Sequence, residues 1–292
     1  MTARRILAAL GLFAALSGCE RLSERAMLMM VEPGYTARVL LTEKDGIASP
    51  DGLLWENGSL VIADEGGSAV RIWSEADGRL TTLATAKDGL RSPEDVVRGP
   101  DGALYVTDDD AGGLWRIGGE GGARQVVSAA DLASTEGLAA APSGTLLIGG
   151  GESGRIVALR PDGGATRLPL RIAKPESMAH DEAGNLYIAD NDADVLYLLT
   201  PDGRLHRPIA ARDGFSPESI ASAGGEWLIT DSDHGKLYRY SPQDGLRTIA
   251  VMAGELANIQ GVAADEAGNI YLSIQSDLKG RRGFILRLER TR

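Results

Sequence analysis

Short apolar runs separated by polar turns recur along the whole chain, and one stretch shows the pattern in full. From Lys174, the run SMAHD (Ser177 to Asp181) ends in a glycine-bearing turn, DEAGN. A second run, LYIAD (Leu186 to Asp190), leads into a polar loop. A third, VLYLL (Val195 to Leu199), meets the turn Pro201-Asp202-Gly203, and a fourth, RLHRPIA (Arg204 to Ala210), closes the unit. Alternating apolar residues bracketed by Gly, Pro and Asp predict strands joined by hairpins.

The unit repeats. SPDGLLWENGSLVIADEGG begins at Ser49, SPEDVVRGPDGALYVTDDD at Ser92 and STEGLAAAPSGTLLIGGG at Ser134. KPESMAHDEAGNLYIADND follows from Lys174, SPESIASAGGEWLITDSD from Ser216 and NIQGVAADEAGNIYLSIQ from Asn258. The third motif position is held by Asp51, Glu94, Glu136, Glu176, Glu218 and Gln260, a period of about 42 residues over the six copies. Four strands per repeat of roughly 40–45 residues is the signature of a propeller blade. Helical repeats of that length need a 3.6-residue apolar period and few internal glycines, and neither is present.

The last copy stops after its third strand, GFILRLER. TARVLLT (Thr36 to Thr42) resembles the outer strands of other copies and supplies the missing one. The expected fold class is therefore all-β: a six-bladed β-propeller with four antiparallel strands per blade, the last blade closed by an N-terminal strand.

Equivalent positions of six blades form a ring around the central channel. Asp51, Glu94, Glu136, Glu176 and Glu218 are then candidate metal ligands at one mouth, with Gln260 as a ligand-binding residue among them. The ends of the second strands, Asp64, Asp108, Gly149, Asp190, Asp231 and Ile274, are placed just above. Of these, Asp108, Asp190 and Asp231 are candidate ligand-binding residues, although an aspartate there also serves as a turn cap. Carboxylates so close raise one another's pKa unless a cation neutralises them. An all-oxygen set suits Ca²⁺ or another hard divalent ion. The alternatives are protonation, an organic cation in the channel, or glutamates that merely accept backbone N–H bonds between blades.

Composition narrows the choice. Glycine, 38 of 292 residues, is about 13% against a usual ~7%, as many tight turns require. The net charge of −11 argues against nucleic acid and against electrostatic adhesion to anionic lipid.

The N-terminus reads as a leader. MTARR is basic, ILAALGLFAAL is apolar but too short to span a bilayer, and Leu16-Ser17-Gly18-Cys19 has the form of a bacterial lipobox. Cys19 is the only cysteine, so no disulfide framework accounts for it. The expected organisation is a lipoprotein signal peptide over 1–18, lipidation at Cys19, a tether over 19–33 and the propeller over 34–292. AMLMMV (Ala26 to Val31) within the tether either grazes lipid or packs on the domain. The protein is expected to be a monomer in the cell envelope, bound to membrane only through its lipid. In a Gram-negative cell, Glu20 after Cys19 favours the periplasmic side of the outer membrane.

NLYIADNDADVLYLLTPDG resembles an NHL-type repeat. From about Gly34 to Arg292 the chain resembles the six-bladed superfamily of senescence-marker-protein/gluconolactonase-like proteins. That resemblance implies a divalent ion, often Ca²⁺, held at the starts of inner strands. Asp51 in PDGLL resembles one ligand type, and Glu94 or Glu218 matches the single Glu. No Asn occupies the ring, and Glu136 and Glu176 add charges that the pattern lacks.

Three functions follow. The first is a metal-dependent lactonase or esterase acting on a small molecule in the channel, with Glu218 and His234 (in the loop DSDHGK) as candidate catalytic residues. The second is a non-catalytic NHL-type propeller binding a small cationic or peptide ligand or a partner protein. The third is a metal-free enzyme resembling strictosidine synthase, with a ring glutamate as base. No Gly-x-Ser-x-Gly elbow is present.

Overall fold

The computed structural model describes residues 26–118, 122–128, 132, 134–254, 256–275 and 283–291. The expected leader (1–18), Cys19 and the first part of the tether lie outside them. Six antiparallel sheets are arranged as the repeat requires. The first blade runs outward from Pro50–Glu56 through Ser59–Asp64 and Ala69–Ser74 to Leu80–Ala84. The inner strands of the next four blades are Pro93–Arg98, Thr135–Ala140, Pro175–His180 and Pro217–Ala223. The sixth blade begins at Ile259–Ala264, and its outermost strand is the N-terminal Tyr35–Leu41, paired from Tyr35 opposite Arg290 to Leu41 opposite Ile285 with a register shift between Val39 and Leu41. The ring is thus closed by both chain ends.

The fifth blade carries an extra strand within the segment expected as tether, so of the two expectations for AMLMMV it is packing on the domain that the structure shows for Ala26–Met30. Ala26–Met30 pairs antiparallel with Gly245–Gly254, from Ala26 opposite Gly254 to Met30 opposite Ala250. Its alternation explains why: Leu28 is buried, whereas Met27 and Met29 stay exposed at 53% and 45%. All five residues are apolar, and burial at alternate positions is the side-chain pattern of a half-buried edge strand.

Two features of the inner strands shape the channel. Each has an irregular register immediately after its first residue, for example between Pro50 and Leu53 and between Pro175 and Ser177. Such a bulge turns the motif's acidic residue out of the sheet and into the channel mouth. The strands also approach one another very closely. A Cβ on Gly52 would lie 2.3 Å from the Glu94 carbonyl oxygen, and one on Gly261 would lie 2.3 Å from that of Asp51. The channel is therefore narrow just below the ring.

Candidate functional site

The carboxylates at the ends of the second strands are buried completely and point into the blades, not into the channel. Asp108 accepts backbone N–H bonds from Arg91 (2.8 Å), Ser92 (3.0 Å) and Ala111 (2.8 Å). Asp190 accepts from Ala173 (2.8 Å), Lys174 (3.2 Å) and Ala193 (3.0 Å). Asp231 accepts from Ser216 (3.2 Å) and His234 (3.0 Å), and Asp64 from Ala48 and Ser49 (2.9 Å each). Each staples the segment before an inner strand to its own blade. Asp108, Asp190 and Asp231 are thus structural caps rather than ligand-binding residues, because their oxygens already hold backbone donors. In the third blade this position is Gly150, opposite Thr135, one residue beyond the expected Gly149.

His234 is corrected for a related reason. Its Nδ1 lies 2.9 Å from Asp231 Oδ1, so the ring is tied to a cap and does not line the channel pocket. It is not placed to serve as a base there.

The ring acids do converge. Asp51, Glu94, Glu136, Glu176 and Glu218 line one pocket of about 30 Å³ at the channel mouth. That volume has room for a cation or a few waters but not for an organic molecule. Gln260 does not line it; its Nε2 donates to Asn258 Oδ1 at 2.6 Å.

Five further residues complete the site. Glu65, in the loop after Asp64, brings a carboxylate oxygen within 4.8 Å of oxygens from Asp51 and Glu94. Gln275 Nε2 donates to Asp51 Oδ2 (3.1 Å) and Glu65 Oε2 (2.7 Å), while Ser92 Oγ lies 3.2 Å from both Glu65 Oε1 and Glu94 Oε1. Lys174 forms an ion pair with Glu176 and lies 3.9 Å from Glu136 Oε1. Asp95 stands where Gly52, Gly137 and Gly261 stand in other blades, and its carboxylate accepts from Val96 N (2.8 Å) and Leu138 N (3.1 Å).

The mouth therefore has two unlike halves. On the side of blades one and two, Asp51, Glu65 and Glu94 face one another, and among the described residues no Lys or Arg forms an ion pair with them. Burial, reinforced by neighbouring carboxylates, pushes Asp51 and Glu94 well above the usual carboxylate range. On the side of blades three and four, Lys174 is present. Burial pushes Glu136 up to about 7 and Glu176 up to about 8, in each case against the opposing pull of Lys174. Burial alone would lower Lys174, but Glu176 and Glu136 outweigh it and keep the ammonium charged. Glu218 is held separately by Asn191 Nδ2 (3.1 Å) and Ser232 Oγ (2.7 Å).

The donor set of the first half fits a hard divalent cation: three carboxylates with converging oxygens, oriented from behind by an amide and a hydroxyl. Of the five expected ligands, Asp51 and Glu94 belong to this set, whereas Glu136 and Glu176 face Lys174.

Fold and site together define a six-bladed β-propeller with an acidic, partly self-neutralised channel mouth. The family model described as "Strictosidine synthase-like, N-terminal" matches residues 78–117. No curated protein matches the chain. Among solved structures, a protein assigned as a gluconolactonase superposes with a TM-score of 0.71 at 16% identity, over 90% of this chain and 98% of that one. A calcium-binding protein, regucalcin from Agrobacterium tumefaciens, superposes at 0.68 with 17% identity, over 89% and 94%. Virginiamycin B lyase from Staphylococcus aureus gives 0.64 with 14% identity, over 87% and 99%. These likenesses establish the shared propeller fold.

Proposed function

We propose that this chain is a gluconolactonase-like hydrolase that opens a lactone or ester at the acidic mouth, with a divalent cation, Ca²⁺ by preference, held by Asp51, Glu65 and Glu94. The observation that carries the reading is the convergence of these three carboxylates within 4.8 Å. The fold shared with regucalcin supports it. A cation bound there would polarise the substrate carbonyl and acidify a bound water.

The chain's own groups supply the rest. Glu136, with a pKa of about 7, lines the same pocket and is suited to accept a proton near neutral pH. Glu218 keeps a fixed orientation through Asn191 and Ser232. Gln275 and Ser92 hold the ligand carboxylates in place. The pocket within the ring is too small for the substrate, whose carbonyl alone would reach the ring from the channel mouth. Lipidation of Cys19 would hold the domain in the cell envelope as a monomer.

Elemental analysis of the purified protein, followed by a lactone and ester panel, tests this. One equivalent of Ca²⁺, with turnover lost in Glu94→Gln, is expected. Absence of bound metal together with absence of turnover would sink it. A second reading, a metal-free enzyme with a ring glutamate as base, is favoured by the strictosidine-synthase-like match and by the raised Glu176. Metal-free protein that turns over and loses activity in Glu176→Gln would select that reading.

A further inference from the structure

Three blades carry a tyrosine at the second position of their second strand, and in each the ring turns toward the next blade. Tyr271 of the sixth blade stacks on Trp55 of the first, with ring centroids 4.9 Å apart and planes 12° apart, and it also meets Trp73 at 6.5 Å. Tyr187 of the fourth blade meets Trp227 of the fifth at 4.5 Å. In both places large aromatic rings fill the wedge between blades.

Tyr105 of the second blade is the third such tyrosine, and the third blade offers it no aromatic partner. Strand register makes the correspondence explicit. Trp55 pairs with Leu60 and Leu60 with Trp73, whereas Ala140 pairs with Leu146 and Leu146 with Leu159. Ala140 and Leu159 therefore occupy the places of the two tryptophans. The consequence is a cleft of about 430 Å³ between the second and third blades, beside the turns opposite the acidic mouth. That falls within the range of about 300–1,000 Å³ usual for small-molecule pockets.

The cleft is also positively charged in a protein of net charge −11. Arg124 and Arg160 line it. The acid beside them, Asp101, is neutralised by Arg116 at 2.7 Å. Arg160 holds only Thr166 Oγ1 (2.9 Å) and the exposed Asp162 (3.4 Å), contacts a stronger acceptor can displace. Arg124 pairs through its backbone with Arg116, and its guanidinium has no hydrogen bond or ion pair with the described residues.

We propose that this cleft binds a small planar aromatic carboxylate, its ring against Tyr105 in the space that the tryptophans fill at the junction of the sixth and first blades. The carboxylate pairs with Arg124 and Arg160, because guanidinium groups suit planar oxyanions. The site is independent of the acidic mouth and of any metal there.

The test is titration of the full chain with 2-naphthoate, followed by ligand fluorescence and saturation-transfer NMR. Saturable one-to-one binding is expected. Arg124→Gln, an exposed position, should weaken it about tenfold, as should replacing the acid by naphthalene-2-carboxamide. Leu159→Trp should refill the wedge, abolish binding and leave the fold intact by circular dichroism. If that variant does not fold, Arg124→Gln and the carboxamide carry the test. Absence of saturable binding up to about 10 mM, far weaker than pocket sites of this size provide, overturns the proposal. So does equal affinity for the carboxamide, or unchanged binding in a folded Leu159→Trp variant.

Discussion

Each blade of this propeller has two places for an acid, one at the start of its inner strand and one at the end of its second strand, and the two behave in opposite ways. Asp108 is wholly buried, yet three backbone N–H groups at 2.8–3.0 Å surround its carboxylate. Glu94 lines an opening, and its neighbours are Asp51, Glu65 and Glu136, all acidic. A carboxylate among amide donors stabilises the fold. A carboxylate among carboxylates destabilises it until something positive arrives. The repeat makes both kinds look alike, and direction alone separates them.

The largest effect should come from the stapling set. Asp108→Ala orphans three buried donors and removes charge-assisted bonds, and should cost on the order of 4 kcal/mol in denaturant unfolding. A loss below about 1 kcal/mol would break the distinction.

Next comes pH. Glu136, Glu176 and Asp95 have folded-state pKa values of about 7, 8 and 7, all above the unfolded carboxylate range. Groups raised on folding contribute stability below their unfolded pKa and lose it as pH climbs through the folded value. Metal-free protein should therefore weaken between about pH 5 and 8.5, by on the order of 3 kcal/mol. Ca²⁺ should offset the loss, more strongly as pH rises, since it binds deprotonated ligands. A flat profile in melting temperature would show that the mouth is already neutralised.

Lys174→Met sharpens the contrast between the two halves of the mouth. The lysine side chain is about one-third exposed (32%), so the cost should be on the order of 1–2 kcal/mol, below the ~3–5 of a fully buried pair. It should appear at pH 8.5 and shrink at pH 5.5, where Glu176 is protonated. A cost independent of pH would mean that Lys174 acts through packing.

The smallest effect on stability belongs to Glu94→Gln. Removing one charge from an unpaired set should leave metal-free stability within about 1 kcal/mol of the parent or slightly above it. Ca²⁺ affinity by calorimetry should fall about tenfold or more. A clear destabilisation without metal would assign Glu94 to the structure instead.

Much of this was legible beforehand. A 42-residue period fixes blade number and strand order, and its missing last strand points to the N-terminal one. The ring acids follow from the same period, since equivalent positions must meet around the axis. Glu65 and Gln275 were not legible in the same way, although each directly follows a strand-end residue, as Asn191 and Ser232 do. Lys174 stands two residues before Glu176, but nothing in the pattern says that its long side chain turns toward the channel. The cleft at Tyr105 was hidden because a void is defined by residues that are smaller than their counterparts across a blade junction.

Repetition by itself determined the closed all-β ring and the crowding of acids at one mouth, because backbone period and turn chemistry are local and add up along the chain. Tertiary structure alone decided which acids face backbone amides, which face Lys174 and which face one another with no Lys or Arg ion pair among the described residues. It also decided where two missing tryptophans leave a pocket. Those outcomes depend on side-chain direction and on contacts between blades far apart in sequence, and no local pattern encodes either.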